Sequence, residues 1–511
     1  MAVVAFIMSW HEERDGHGAA GERGRLAGFR RELYLSLGLR RDVLFEACDA
    51  ALCKPGRVLM LAELCLEPEC RRGHGGLYDA LNCGEVRVAR LRRALSGLPL
   101  PAWPDGRIRL AVDVSNWLRP DAATSPDRSF CHCYGRGKSS AQMIPGWPYS
   151  LVAALERGRT SWTLPLDAVR LRPDDDLAAV TAAQVRDVVT RLAAAGHWKD
   201  GDPDIMVIFD AGYEPARLAW LLRDLPVQVT GRLGTNRVFR LPPPPRRPGQ
   251  MGRPVKHGAE LPLAADAARP EPDAVTTTVT SRYGAAAALS WNRAHPKLKA
   301  RGAWEGHQGA LPVIEGTLIR LTVDHLPHDR APKPVWLWTS RPDAGPAEAD
   351  LCWQAFLRRF DLEHTFRFLK QALGWTRPKL RDPAAADRWT WLVLAAFAQL
   401  WLARRLAADE RLPWQQPCLP GRLTPARVRR GFRAIHRTMP VLTAAPKPGK
   451  PGPGRPPGAK NRRPATRHDV GKSRQGAGNQ QLSSRLNSKL SSSTGMVRTP
   501  AVWRAYSAKP G

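Results

Sequence analysis

Two apolar runs of strand length each lead to an aspartate, and these runs constrain the fold of this chain more than any other feature. The run Ile108–Val114 contains Asp113, and the run Ile205–Phe209 ends directly before Asp210. Both are rich in apolar and β-branched residues, as is typical of strands that are buried on both faces. A helical pattern over residues 175–195 lies between them. The sequence therefore predicts an α/β domain with a buried sheet.

Changes in composition along the 511 residues predict several domains around this sheet. Runs rich in Leu, Ala and Arg predict short helices before the sheet, and a run of prolines from Pro242 to Pro245 cannot continue a strand or a helix. The predicted segments are a flexible arm (1–25), an N-terminal helical domain suited to DNA binding (26–104), the first part of the α/β domain (105–234), a β-rich insertion (235–333), the second part of the α/β domain with C-terminal helices (334–440), and a disordered basic tail (441–511).

The charge of the chain favours nucleic acid as its partner. The formal net charge is +31 and the sequence pI is about 10.7, which gives a long-range attraction to polyanions. The most apolar stretch, residues 389–403, is shorter than the roughly 20 residues that a membrane-spanning helix needs, and it predicts a buried core helix. No secretory signal is recognised at the N-terminus. We therefore expect a cytoplasmic, nucleoid-associated protein that binds double-stranded DNA without contacting a membrane.

The nine cysteines predict free thiols rather than a disulfide framework, because their number is odd and they are scattered over a long chain. Cys65, Cys70, His74 and Cys83 have irregular spacing and lack paired C-x2-C elements, which disfavours a structural zinc site.

Four residues near position 360 fall close to one face of a predicted helix, because they are spaced 3, 4 and 7 residues apart. They are Phe356, Arg359, Glu363 and Lys370. An acid held between two cations is an arrangement suited to phosphates and metal ions. A solvated helix face with intrahelical ion pairs is the alternative.

These residues, taken with Asp113 and Asp210 in chain order, resemble the DDE transposases of bacterial insertion sequences. That family carries the signature Tyr-x2-Arg-x3-Glu-x6-Lys, with Phe356 here in place of Tyr, so any hydrogen bond from a Tyr hydroxyl to phosphate is missing. The resemblance covers about 107–407. It implies an RNase H-like catalytic domain with a β-rich insertion between the second Asp and the Glu, which are 153 residues apart here.

The same resemblance implies the roles of individual residues. Asp113, Asp210 and Glu363 are expected to be the catalytic acids and the ligands of Mg²⁺ or Mn²⁺, with two ions bound. Oxygen ligands suit these ions, and two ions can bracket a phosphodiester. Arg359 and Lys370 are expected to hold DNA phosphates near the scissile bond.

Further DNA contacts are expected outside this site. Trp291 and Trp304 lie among basic residues of the insertion and could stack an unpaired base, although core packing is the alternative. Arg136 and Lys138 belong to a Gly-rich segment that predicts a phosphate-facing loop or a plain surface turn. Arg455, flanked by Gly and Pro, predicts a minor-groove contact or a merely solvated tail.

The resulting expectation is an insertion-sequence transposase that cleaves DNA with metal ions and joins a 3′-hydroxyl to target DNA, with a homodimer on DNA as one expected assembly. A metal-dependent nuclease of the same fold and an inactive or domesticated DNA-binding relative are the alternatives. The presence of all three acids favours the two enzymes over the inactive relative.

Overall fold

One β-sheet of mixed strand direction runs through the part of the chain that the structure describes, and helices pack against it. The computed structural model describes residues 19–133, 142–158, 160–249, 251–264, 269–280, 283–326, 332–419, 422–446 and 464–471. The protein is therefore a mixed α/β protein, as the sequence predicts.

The helices and strands follow one another in the order expected from the hydrophobic patterns. The helices are α1 (Ala19–Ser36), α2 (Arg41–Cys53), α3 (Leu61–Leu64), α4 (His74–Cys83), α5 (Val88–Ser96), α6 (Leu177–Ala194), α7 (Pro215–Leu221), α8 (Pro346–Arg358), α9 (Phe360–Gln371), α10 (Pro383–Ala403) and α11 (Pro425–His436). The strands are β1 (Arg109–Leu118), β2 (Ser129–Cys133), β3 (Gln142–Leu155), β4 (Thr163–Arg170), β5 (Ile205–Phe209), β6 (Val227–Leu233), β7 (Val238–Arg240), β8 (Glu260–Pro262), β9 (Ala274–Thr280), β10 (Gly284–Pro296), β11 (Gly316–Val323) and β12 (Val335–Thr339).

The centre of the sheet has the RNase H-like arrangement. Strand β1 pairs antiparallel with β3 on one side and parallel with β5 on the other, and β5 pairs parallel with β6. Strand β4 pairs only with β3, at the edge of the sheet. The strand β5 is buried along its whole length, as its uninterrupted apolar sequence predicts.

The insertion extends this sheet instead of forming a separate layer. Strand β12 pairs antiparallel with β6, and β11, β10, β7 and β8 continue outward from it. Four tryptophans and their apolar neighbours form a second hydrophobic core on this extension, distinct from the main one; the tryptophans are Trp291, Trp304, Trp336 and Trp338.

The N-terminal helices share the main hydrophobic core with the catalytic domain. Helix α10 is buried on nearly all faces and contacts α1, α2 and β4, which confirms the prediction of a buried core helix over residues 389–403. Arg30 on α1 links the N-terminal helices to α10: its guanidinium donates hydrogen bonds to Asp49 on α2 and, at 2.6 Å, to Gln399 Oε1 on α10. Within the described residues, no helix is both long enough and apolar enough to cross a membrane.

Two segments differ from the predicted boundaries. Helix α1 already begins at Ala19, inside the predicted flexible arm, because Leu26, Phe29 and Leu33 supply it with a buried face. In the predicted tail, residues 464–471 lie along the loop before β2, where the Gly471 N–H donates to the Arg128 carbonyl at 2.9 Å. The described part of the tail therefore has a fixed partner. The other tail residues from 447 onward, Arg455 among them, lie outside the described residues.

Candidate active site

The sheet places Asp113 and Asp210 side by side. Val112 is the last residue of β1 paired with β5, and its partner is Phe209. Asp113 and Asp210 directly follow these two residues, at the carboxyl end of the parallel pairing: Asp210 comes after the last residue of β5, and Asp113 lies within β1, which continues to Leu118 along β3. Ligands of open α/β sheets bind at this end, so both carboxylates point to the part of the fold where a ligand is expected.

Glu363 reaches the same place from the helices. Helices α8 and α9 are separated by a single residue, Arg359, whose backbone keeps helical angles (φ −54°, ψ −31°). The sequence predicted one helix over 349–373, and the structure has this one-residue interruption instead. Glu363, one turn after Arg359, has a side chain that is 51% exposed.

The guanidinium of Arg359 joins all three acids. Its Nη1 atom lies 2.7 Å from Asp113 Oδ2, and its Nη2 atom lies 3.2 Å from Asp210 Oδ2 and 3.2 Å from Glu363 Oε1. The Arg359 side chain is 1% exposed. The three predicted acids therefore converge within reach of a single cation, as their expected role requires.

Burial and mutual repulsion shape the charge of this cluster. The pKa of Asp113 is raised to about 6, chiefly by burial and in smaller part by the charges of Asp210 and Glu363, against the lowering effect of Arg359. The Asp113 Oδ1 atom accepts a hydrogen bond from the Val114 N–H at 2.8 Å. Arg359 offsets only one of the three negative charges, so the cluster favours a further cation.

The donor set fits a hard divalent cation. All three side chains offer carboxylate oxygens, the ligand type that Mg²⁺ and Mn²⁺ prefer. The Asp210 Oδ1 atom is buried without a hydrogen-bond partner, and Arg232 Nη1 lies 3.7 Å from it. A metal ion would satisfy this oxygen.

Lys370 lies two turns beyond Glu363, between the acids and strand β2. Burial lowers the pKa of its ammonium from the ordinary value, while Cys133, Cys131 and Asp113 raise it. The Lys370 Nζ atom lies 5.8 Å from the centre of the Trp375 ring. Lys370 is therefore a half-buried cation beside the acids, in a position to contact a phosphate there.

Arg359 and Phe356 have other surroundings than the sequence suggested. Arg359 is committed to the three acids, so its immediate partners are carboxylates and not a solvent-facing phosphate site. Phe356 is buried, and its ring centre lies 5.7 Å from the Arg359 guanidinium carbon. An exposed helix face with intrahelical pairs alone does not describe this arrangement, because Arg359 bonds to two strands as well as to Glu363.

The two tryptophans proposed for base stacking are parts of the second core. Trp291 is 2% exposed, packs on Trp336 with ring centres 5.6 Å apart, and donates from Nε1 to the Pro270 carbonyl. Trp304 is 9% exposed and lies beside Trp220. A buried ring offers no free face to a base, so the structure favours core packing for both. Arg136 and Lys138 lie outside the described residues.

Two further residues lie near the acids. Arg232 lies on β6 beside Asp210, inside a strand where a single basic residue is unremarkable, and only the pairing of β5 with β6 reveals it. Tyr213, in the turn three residues after Asp210, is buried against Phe209, and burial together with the charge of Asp113 raises the pKa of its phenol.

A second group of possible metal ligands, in the described part of the chain, is satisfied without a metal ion. Cys53, Glu69 and His436 have ligand atoms within 4.8 Å of one another. However, Glu69 pairs with Arg433, and His436 Nε2 lies 3.1 Å from Asp49 Oδ2. The predicted absence of a zinc site at Cys65, Cys70 and Cys83 remains a prediction.

Comparison with known proteins agrees with this geometry. Residues 32–297, just over half of the chain, match the family model described as DDE superfamily endonuclease. The match includes Asp113 and Asp210 and ends before Glu363. A search of curated proteins finds no match.

A solved structure of a piggyBac transposase synaptic complex with hairpin DNA is similar to 81% of this chain and 70% of its own chain, with 8% sequence identity and a TM-score of 0.37. On the extent of the family match, the chain belongs to the DDE superfamily of endonucleases.

Proposed function

We propose that the protein is a transposase that cleaves DNA at the ends of an insertion sequence and joins the resulting 3′-hydroxyl to target DNA. The observation that carries this proposal is the convergence of Asp113, Asp210 and Glu363 on one point, where the parallel pairing of β1 with β5 ends. Membership of an endonuclease superfamily supports the cleavage step.

Asp113, Asp210 and Glu363 are the residues that would hold Mg²⁺ or Mn²⁺, and we propose two ions. When bound, such ions activate a water or a 3′-hydroxyl as nucleophile and stabilise the leaving oxygen. The two aspartates fix their carboxylates on the rigid sheet. Glu363, which is half exposed, leaves the cluster open on the side from which a DNA strand can approach.

Lys370 is the proposed contact to the phosphate next to the scissile bond. A cation at this position neutralises a phosphate that would otherwise be repelled by the three acids. The net charge of +31 supports binding to double-stranded DNA over the wider surface. Arg136, Lys138 and Arg455 remain proposed DNA contacts of this kind.

A nuclease that hydrolyses DNA without joining strands is the second candidate, and the endonuclease description of the matching family favours keeping it. An inactive DNA-binding relative is disfavoured, because the three acids are present and converge.

The test uses labelled duplexes taken from the DNA that flanks the gene, with a supercoiled plasmid as target and Mg²⁺ present. A transposase cleaves the duplex end and links the label to the plasmid, whereas a nuclease releases the labelled fragment only. The Asp210→Asn variant should give neither product while it still retains the duplex in a binding assay. Cleavage by this variant at the wild-type rate would refute the proposed site.

A further inference from the structure

The Arg359 guanidinium lies at the point on which the three acids converge, a position that the expected phosphate contact does not explain. We infer that Arg359 stands in for a divalent ion: it holds Asp113, Asp210 and Glu363 together while the ion is absent, competes with the ion for these acids, and withdraws from Asp113 when the ion is coordinated. This inference rests on the proposed function, because it concerns the same metal site.

The geometry of the contacts supports a gathering role. A guanidinium is a rigid planar fork with several N–H donors, so one group can hold several carboxylates in fixed directions. Here one nitrogen serves Asp113 and the other serves both Asp210 and Glu363. The rings of Phe356 and Phe360, whose centres lie 5.7 Å and 5.1 Å from the guanidinium carbon, restrict the orientation of the fork.

The charges of the cluster give the reason for this role. Three carboxylates this close repel one another, and burial strengthens the repulsion. Arg359 offsets one of the three negative charges and is 1% exposed, so bulk water and salt screen this interaction little. The cluster still carries an excess of negative charge, which attracts a divalent ion.

Withdrawal follows from the occupancy of the Asp113 oxygens. Oδ1 accepts from the Val114 N–H, and Oδ2 is bonded to Arg359 Nη1 at 2.7 Å. Magnesium bonds to oxygen at about 2.0–2.1 Å, so an ion on Oδ2 would place a double positive charge beside the guanidinium and repel Nη1 from its place. Asp210 Oδ1, buried without a hydrogen-bond partner, is in contrast ready to act as a ligand.

The test measures Mn²⁺ affinity of the full-length, DNA-free protein from the electron paramagnetic resonance signal of free Mn²⁺. If Arg359 competes with the ion, Arg359→Gln should bind Mn²⁺ more tightly, on the order of tenfold, because the acids lose their internal cation. Arg358→Gln is the matched control. Arg358 is the preceding residue and pairs with Asp361 instead of the three acids, so its Mn²⁺ affinity should equal that of the wild type.

A second variant keeps the test decisive if Arg359→Gln does not fold. Arg359→Lys retains the charge but cannot reach three carboxylates at once, and it should bind Mn²⁺ more tightly than the wild type by a smaller factor. Equal or weaker Mn²⁺ binding in the folded Arg359 variants would overturn the inference.

The Asp210→Asn variant separates this failure from a failure of the metal site itself. If Mn²⁺ binding by the wild type does not depend on Asp210, the proposed function fails. If it does depend on Asp210 but is insensitive to Arg359, only the inference about Arg359 fails.

Discussion

At the scale of single residues, two opposing effects set the pKa of Asp113: burial raises it and the charge of Arg359 lowers it. Burial raises its pKa to about 6, above the ordinary 3.8, although Arg359 lies 2.7 Å away. An acid with a higher pKa in the folded than in the unfolded state favours folding when protonated. This contribution is lost as the pH rises from about 4 through 6. Near neutral pH, ionised Asp113 therefore lowers the free energy of unfolding, and a bound cation would reduce this destabilisation.

Lys370 provides a prediction at this scale. Lys370→Ala should lower the single-turnover rate of DNA cleavage on the order of 100-fold, because a misplaced phosphate no longer meets the reacting groups. The melting temperature should change little, because burial disfavours the Lys370 ammonium and so offsets its attraction to the Trp375 ring and to Asp113. Lys379→Ala is the control: Lys379 is 76% exposed and pairs with Asp121. Equal cleavage rates in the two variants would remove Lys370 from the site.

At the scale of elements, the insertion matters because it lengthens the catalytic sheet. Strand β12, which follows the insertion in the chain, pairs with β6, and β6 pairs with β5. The insertion is therefore attached to the sheet close to β5, the strand that leads to Asp210. Its strands then pack a core of their own around Trp291 and Trp338, whose Nε1 donates to the Ala294 carbonyl at 2.9 Å. We expect the insertion to stabilise this edge of the active site.

The role of Trp291 is a prediction at this scale. Trp291→Ala should lower the free energy of unfolding by about 3 to 5 kcal/mol, because it empties a packed site beside Trp336. Trp291→Phe should recover most of that stability and should leave DNA binding unchanged. Loss of DNA binding in a Trp291→Phe protein of near wild-type stability would instead favour base stacking.

The sequence predicted the elements whose patterns are local and strong. The strands that carry Asp113 and Asp210, helix α6 and the buried helix α10 follow directly from their apolar runs. The interruption at Arg359 was not predictable, because this residue keeps helical backbone angles and no Gly or Pro marks the break in the sequence. Core packing of Trp291 and Trp304 was an alternative already visible in the sequence, but their partners Trp336 and Trp220 were not, because they lie elsewhere in the chain.

At the scale of the whole molecule, a shared core joins regions that look like separate domains in the sequence. Composition separates the N-terminal helices from the C-terminal ones, yet Arg30, Asp49 and Gln399 form one buried network across them. Side chains that pair over more than 300 residues leave no periodic signal. The charge of the tail, in contrast, follows directly from the sequence: residues 441–511 contain fourteen basic residues and one acidic residue, a net charge of +13.

The tail gives a prediction at this scale. A chain ending at residue 446 should bind DNA with a shallower dependence of log K on log salt, because each lost phosphate contact removes about 0.9 from the slope. A chain ending at 471 retains the segment that bonds to Arg128 and shows whether this segment contributes. Slopes equal to that of the full chain would exclude a phosphate role for the tail.

The most direct test of the central claim is single-turnover DNA cleavage by Asp113→Asn, Asp210→Asn, Glu363→Gln and the triple variant, each with intact DNA binding and a cooperative melt. Groups that act as one catalytic unit are strongly non-additive, so each single variant should lose nearly as much rate as the triple variant. Single variants that keep substantial activity, with losses that add up in the triple variant, would contradict a catalytic centre built from these three acids.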